Sequence, residues 1–134
     1  AIGKRKELFV FGADYPTPDG TCIRDYIHVM DLAHAHILRL KFLWAKKNES
    51  NCEIFNLGTG KGNSVLELIQ TFESSTGQKV NYKIASRREG DIIQAYADPS
   101  KAKKILGWQA KQSLSSALKS AWEWEKNWQK EESS

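Results

Sequence analysis

Arg87-Arg88-Glu89-Gly90-Asp91 sets two guanidinium groups beside a glycine and two carboxylates. Arginine grips phosphate through paired N–H donors, and an aspartate three residues on can accept from sugar hydroxyls. As an unaided pattern, the same run is more often a surface ion-pair cluster. Arg24-Asp25-Tyr26 offers a second anion-binding group with the same alternative. Gly58-x-Gly60-x-Gly62 has the layout of a phosphate-binding turn, because glycine lets backbone amides approach an anion at a helix N-terminus. Asn63 stands where a dinucleotide fingerprint wants glycine, and Gly-Lys-Ser/Thr is absent, so a tight strand-to-helix turn is the better reading. His28, His34 and His36 have the chemistry of general bases or metal ligands. His34 and His36 are two apart and face different sides of a helix, which rules out a metal pair. With no Gly-x-Ser-x-Gly, no nucleophile elbow forms.

These groups need elements to hold them. Glu7–Phe11 is a β-rich run ending at Gly12, and Pro16, Pro18, Asp19 and Gly20 make the next stretch a turn-rich loop. Asp31 stands as an N-cap before Leu32, Ala35, His36, Leu40 and Leu43, which predicts a helix from about Leu32 to Lys46. Lys46–Asn51 reads as a solvated connection, and Cys52–Leu57 as a strand. Ser64-Val65-Leu66-Glu67 fits a capping box, and the helix it opens closes at Gly77. Val80–Ala85 alternates as a strand. Asp98-Pro99 opens a helix Ser100–Leu106, which Gly107 ends. In the last helix, Leu114, Ala117, Leu118, Ala121, Trp122, Trp124 and Trp128 share one arc, read as a face gripping the core. Residues 129–134 are expected to fray, and residues 1–134 to form a single region.

Composition bounds the rest. The 134 residues, 40% hydrophobic and 27% charged, suit one globular α/β domain. A net charge of +4 is dispersed along the chain, which argues against nucleic-acid binding. No apolar run approaches the roughly 20 residues of a membrane span. Cys22 and Cys52 make neither a CxxC pair nor a zinc cluster. With no signal peptide at Ala1–Phe11, they read as thiols of a reducing cytoplasm.

Taken in order, Phe9–Thr17, Asp19-Gly20-Thr21, Arg24–Ala33, Asn56–Gly60 and Arg87–Asp91 are specific enough to carry a family resemblance. The chain resembles the C-terminal part of the UDP-glucose 4-epimerase family, extended short-chain dehydrogenases/reductases, from about Leu8 to Trp128. The resemblance implies the mixed α/β substrate-binding region of an extended Rossmann-type epimerase, lacking most of the NAD-binding domain. In that family an N-terminal Rossmann fold binds NAD, a Tyr-x-x-x-Lys pair does acid/base work, and the C-terminal region holds the UDP-sugar. Hydride leaves sugar C4 for the nicotinamide, the keto sugar turns over, and hydride returns to its other face. By matching position, Phe9, Val10 and Phe11 would lie along uracil, and Arg24 and Arg88 would meet the diphosphate. Asp91 would face the ribose hydroxyls, and Tyr26 and Val65 would line the nucleotide pocket. Anion binding then outweighs a surface ion pair for both arginines.

Departures from the family pattern carry further expectations. Tyr15, Tyr26, Tyr82 and Tyr96 are followed four residues later by Asp19, Met30, Ser86 and Ser100, never by lysine. No catalytic residue and no NAD or metal site is therefore expected in this chain, which reads as a fragment or truncated product, inactive alone. Without the sheet that covers them in the family, the helix after Asp31 and the strand Cys52–Leu57 should expose an apolar edge, so self-association or a homodimer is expected. Ala95 stands where family members place a large tyrosine or a small residue beside the sugar's 2-substituent, which implies room for an N-acetyl group. Adjacent Tyr96 could swing in to fill that space. Another nucleotide-sugar epimerase or dehydratase, or a non-catalytic interaction module on the same scaffold, are the competing readings.

Overall fold

The computed structural model describes residues 3–47, 50 and 52–132. Its elements run β1 (Leu8–Phe11), β2 (Ile23–Arg24), α1 (Val29–Trp44), β3 (Asn63–Ser64), α2 (Val65–Thr76), β4 (Tyr82–Ala85), β5 (Gln94–Ala95), α3 (Ser100–Leu106) and α4 (Leu114–Glu132). β1 and β4 form a parallel pair in which Val10 lies opposite Ile84. β2 is the middle strand of a second sheet, antiparallel to β3 and parallel to β5, so that Asn63, Arg24 and Ala95 lie side by side. The architecture is mixed α/β.

The core gathers where α1 meets α3. Ala35, Ala102 and Trp108 are buried there, with Ile27, Leu38, Phe55, Leu57 and Leu106 packed around them. A buried tryptophan of this kind stabilises a domain by about 3–5 kcal/mol. Its indole N–H donates to the Asp31 carbonyl at 2.9 Å. The Asp31 carboxylate accepts from the amides of Lys111 and Gln112 at 3.0 and 2.9 Å, tying α1 to the connection before α4. Asp31 is therefore not the N-cap of α1. That place is held by His28, whose Nδ1 accepts from the Met30 amide at 3.0 Å, and α1 begins three residues earlier than its periodicity suggested. The His28 Nε2 lies 3.1 Å from the Ser120 hydroxyl. That hydroxyl donates to the Ala117 carbonyl, which leaves it to accept from the ring.

Two other expectations need correction. Cys52–Leu57 alternates in burial as a strand does, Phe55 and Leu57 inward and Ile54 outward, but no described residue pairs with it in a ladder. A strand is defined by its neighbour, and none of the described residues supplies one. The connection before it is exposed at Lys46, Lys47 and Ser50, whereas Asn48, Glu49 and Asn51 lie outside the described residues. On α4, only part of the apolar arc reaches the core. Trp122 meets Phe72 of α2 edge-on at 5.7 Å, whereas Trp124 and Trp128, 62% and 44% exposed, stack on each other at 5.6 Å. One helix covers one side of so wide an arc, and the other side is left to solvent. α4 runs to Glu132, and Ser133 and Ser134 lie outside the described residues.

Helix boundaries elsewhere follow the local chemistry. Ser64 and Glu67 form the capping box of α2, and Gly77 ends the helix in the left-handed region at φ 72°. α3 spans Ser100–Leu106; Pro99 occupies its cap, and the Asp98 carboxylate accepts from the Ser100 amide at 3.0 Å.

The loop before β2 is fixed by a buried polar network. Asp19 Oδ1 accepts from the Thr21 amide and hydroxyl at 2.9 and 2.7 Å, and Oδ2 accepts from the Ser64 hydroxyl. Thr21 is fully buried, and its Oγ1 accepts from the Val65 amide at 3.1 Å. Burial works against the Asp19 carboxylate, but the hydrogen bonds from Ser64 and Thr21 outweigh it and hold the group below the usual carboxylate range. Because the folded value is lowered, the stabilisation is complete above the ordinary Asp range, near about 3.9, and fades as pH falls through the folded value. Asp19→Asn should lower unfolding free energy by about 1–3 kcal/mol at neutral pH. Denaturant titrations should then show the gap from the unmutated protein closing as the pH drops below about 4.

Candidate functional site

Extended segments send alternate side chains to one face, so Cys22, Arg24 and Tyr26 share a side of the chain through β2. β3 leads into α2 beside them and delivers Val65, while β1 contributes Phe9, Val10 and Phe11. The loop between β4 and β5 swings Arg88 and Asp91 over the same spot. All of these residues line one cavity of about 260 Å³.

Eight of the nine expected site residues therefore meet there: Phe9, Val10, Phe11, Arg24, Tyr26, Val65, Arg88 and Asp91. Ala95 is not in the wall; it is exposed on β5, paired in register with Arg24. The ninth lining residue is Cys22, which sequence reasoning passed over although its alternation with Arg24 and Tyr26 was there to be read. A larger hollow of about 450 Å³ lies along Gly3–Leu8 and Lys79–Asn81, away from both arginines.

Arg88 is held in place from two sides. Its Nε and Nη2 donate to the two oxygens of Asp91 at 3.1 and 3.0 Å, and its guanidinium lies 4.5 Å from the centre of the Phe11 ring. The bond to Asp91 raises the Arg88 pKa, so the group stays charged. Arg24 Nη1 donates to the Ile23 carbonyl at 2.8 Å, which uses one of the five guanidinium donors. Burial pushes the Tyr26 hydroxyl up, against the opposing pull of Arg24. An apolar wall beside two cations suits a ligand with a flat ring and anionic groups, and the Asp91 carboxylate suits hydroxyls between them.

The remaining motifs have structural employment. Arg87 turns away from the cavity: its Nε donates to Asp14 at 2.8 Å, and its guanidinium stacks 4.1 Å above the Tyr15 ring. That bond holds the Asp14 carboxyl below its usual range. Two amides of the glycine turn are already filled, because the Asp25 carboxylate accepts from Thr59 and Gly60 at 3.0 and 3.1 Å. A Cβ on Gly58 would lie 2.3 Å from the same carboxylate. The turn thus holds an internal anion, and its residues do not fit a dinucleotide. His28 serves as a helix cap, and no cluster of metal-ligating side chains occurs among the described residues. Nor is any helix among them long and apolar enough to cross a membrane.

Residues 1–121 match the family model described as GDP-mannose 4,6 dehydratase. The UDP-glucose 4-epimerase of Bos taurus is 51% identical over 126 residues, 94% of this chain, and that of Bacillus subtilis is 50% identical over 93% of it. The chain spans about 35% of the length of these curated relatives. Among solved structures, the Stenotrophomonas maltophila UDP-glucose 4-epimerase, with bound NAD and formylated UDP-arabinopyranose, has a TM-score of 0.87 at 48% identity. It is matched over 92% of this chain and 36% of its own. The Bifidobacterium longum enzyme, in complex with NAD+ and UDP, has a TM-score of 0.85 at 44% identity, over 94% and 36%. The UDP-Glc/GlcNAc 4-epimerase of Campylobacter jejuni has a TM-score of 0.82 at 46% identity, over 93% and 37%. The chain belongs to the extended short-chain dehydrogenase/reductase family that this model describes, and within it corresponds to the C-terminal part of the UDP-glucose 4-epimerases.

Proposed function

We propose that this chain is the UDP-sugar-binding part of a cytoplasmic UDP-glucose 4-epimerase that interconverts UDP-glucose and UDP-galactose in galactose metabolism. The observation that carries the reading is the convergence of Arg24 and Arg88, 64 positions apart in sequence, on one cavity with an apolar wall. In it, Phe9, Val10 and Phe11 receive uracil, the two guanidinium groups take the diphosphate, and Asp91 accepts from the ribose. Tyr26 and Val65 close the sides. NAD and the acid/base pair belong to the part of the enzyme that these residues do not supply, so the chain alone binds without turning over. A second reading, another nucleotide-sugar epimerase or dehydratase, draws on the description of the family model; substrate profiling of the whole enzyme separates the two.

Two extensions follow from the geometry. Ala95 adjoins Arg24 on the next strand, so a small side chain there leaves room next to the diphosphate for an N-acetylated sugar. The C. jejuni relative, named for both plain and N-acetylated substrates, supports this. In α1, Val29, Ile37, Leu40 and Trp44 fall on one exposed stripe opposite the face that meets the core. Trp44 is 78% exposed, and the unpaired Ile54 is 74% exposed. Helices apolar on both sides are normally covered on both, so this stripe receives the rest of the enzyme, and in its absence a second copy.

Calorimetric titration with UDP should give saturable binding that Arg88→Ala weakens by about 1.5–3 kcal/mol. Undiminished affinity in that variant would remove Arg88 from the site. In the whole enzyme, Ala95→Tyr should lower kcat/KM for UDP-N-acetylglucosamine relative to UDP-galactose by roughly tenfold or more; an unchanged ratio would refute the gap. Sedimentation of the 134-residue chain should show concentration-dependent association that Trp44→Glu reduces, and a strictly monomeric chain would refute the role of the stripe.

A further inference from the structure

Cys22 lines the cavity yet has no part in the reading above. It is 6% exposed, on the same side of the chain as Arg24 and Tyr26. Tyr15 is 5% exposed, and its hydroxyl is buried with no hydrogen-bond partner among the described residues. Burial raises the pKa of this phenol, and the nearby Cys22 thiol raises it further. Buried hydroxyls nearly always find a partner. Cys22 adds a thiol to a cavity wall whose apolar side chains are Phe9, Val10, Phe11 and Val65.

We propose that Cys22 is a direct ligand contact, the polar spot of the wall against which the nucleotide base lies, and that covalent modification of its thiol shuts the nucleotide out. The proposal rests on the UDP reading of the cavity. It also names a class of reagent, small thiol-directed electrophiles, that should act as inhibitors through this position.

The probe is N-ethylmaleimide. The Cys22 sulfur forms a C–S bond to one carbon of the maleimide double bond, the thiol proton ends on the other, and nothing leaves. Cys52 is exposed and serves as an internal control for reagent activity. Modification at each cysteine is followed by peptide-resolved mass spectrometry, with UDP binding measured by calorimetry on the same samples. With UDP at about ten times its Kd, modification of Cys22 should slow roughly tenfold while that of Cys52 does not change. Protein modified at Cys22 should bind UDP roughly tenfold or more weakly, and Cys22→Ser, treated alike, should show no such loss.

Three results would overturn the inference and leave the nucleotide reading standing. UDP binds but does not protect Cys22; the modified protein binds UDP as before; or Cys22 stays inert in the native protein while reacting readily in urea. Failure of the untreated protein to bind UDP at all would remove both readings together.

Discussion

One carboxylate sets the position of the strand on which the cavity is built. Asp25 accepts hydrogen bonds from Thr59, Gly60 and Ala97, groups drawn from two distant stretches of chain. It pins the end of β2 against the glycine turn on one side and the exit of β5 on the other. A charged acceptor with several donors forms stronger bonds than neutral pairs do, and Gly58 leaves the space the carboxylate needs. Arg24 is the residue just before Asp25, so fixing one aims the other. The turn that looks built for phosphate thus works at one remove: it holds an anion belonging to the protein, and that anion positions a cation for the cavity.

The second constraint is the double-sided character of α1. Its inner face is locked by Trp108 and by Asp31, which reaches the amides before α4. Its outer stripe is as apolar as a core face but meets solvent. The same holds for residues 52–57, which keep the burial rhythm of a strand with no ladder to join. Both features leave large apolar side chains at the surface, Trp44 and Ile54 among them.

Much of this was legible beforehand because it depends on short-range chemistry. The capping box at Ser64, the left-handed glycines at Gly77 and Gly107, and strands β1 and β4 follow from neighbours in sequence. What was hidden depends on distant partners. Asp31 looks like an N-cap by spacing, but amides 80 residues away claim it. Trp124 and Trp128 share an arc with Trp122, and only the packing of α2 decides which side of that arc is covered. Strands of two residues, as in β2, β3 and β5, leave no period to detect. At the cavity, the family pattern singled out Arg88 from Arg87, a choice local sequence could not make, since both stand in the same run of charge. Cys22 carries neither charge nor ring, and only its alternation with Arg24 and Tyr26 marks it as facing the cavity.

The fork between Arg88 and Asp91 bears on selectivity. Asp91 takes two of the five guanidinium donors of Arg88, so an incoming anion meets a cation that already carries a carboxylate. A displaced carboxylate repels the newcomer unless the newcomer brings a donor for it. Pyrophosphate alone brings none, whereas a nucleoside diphosphate brings the two hydroxyls of its ribose. The paired charges thus suit a molecule that presents acid and alcohol together.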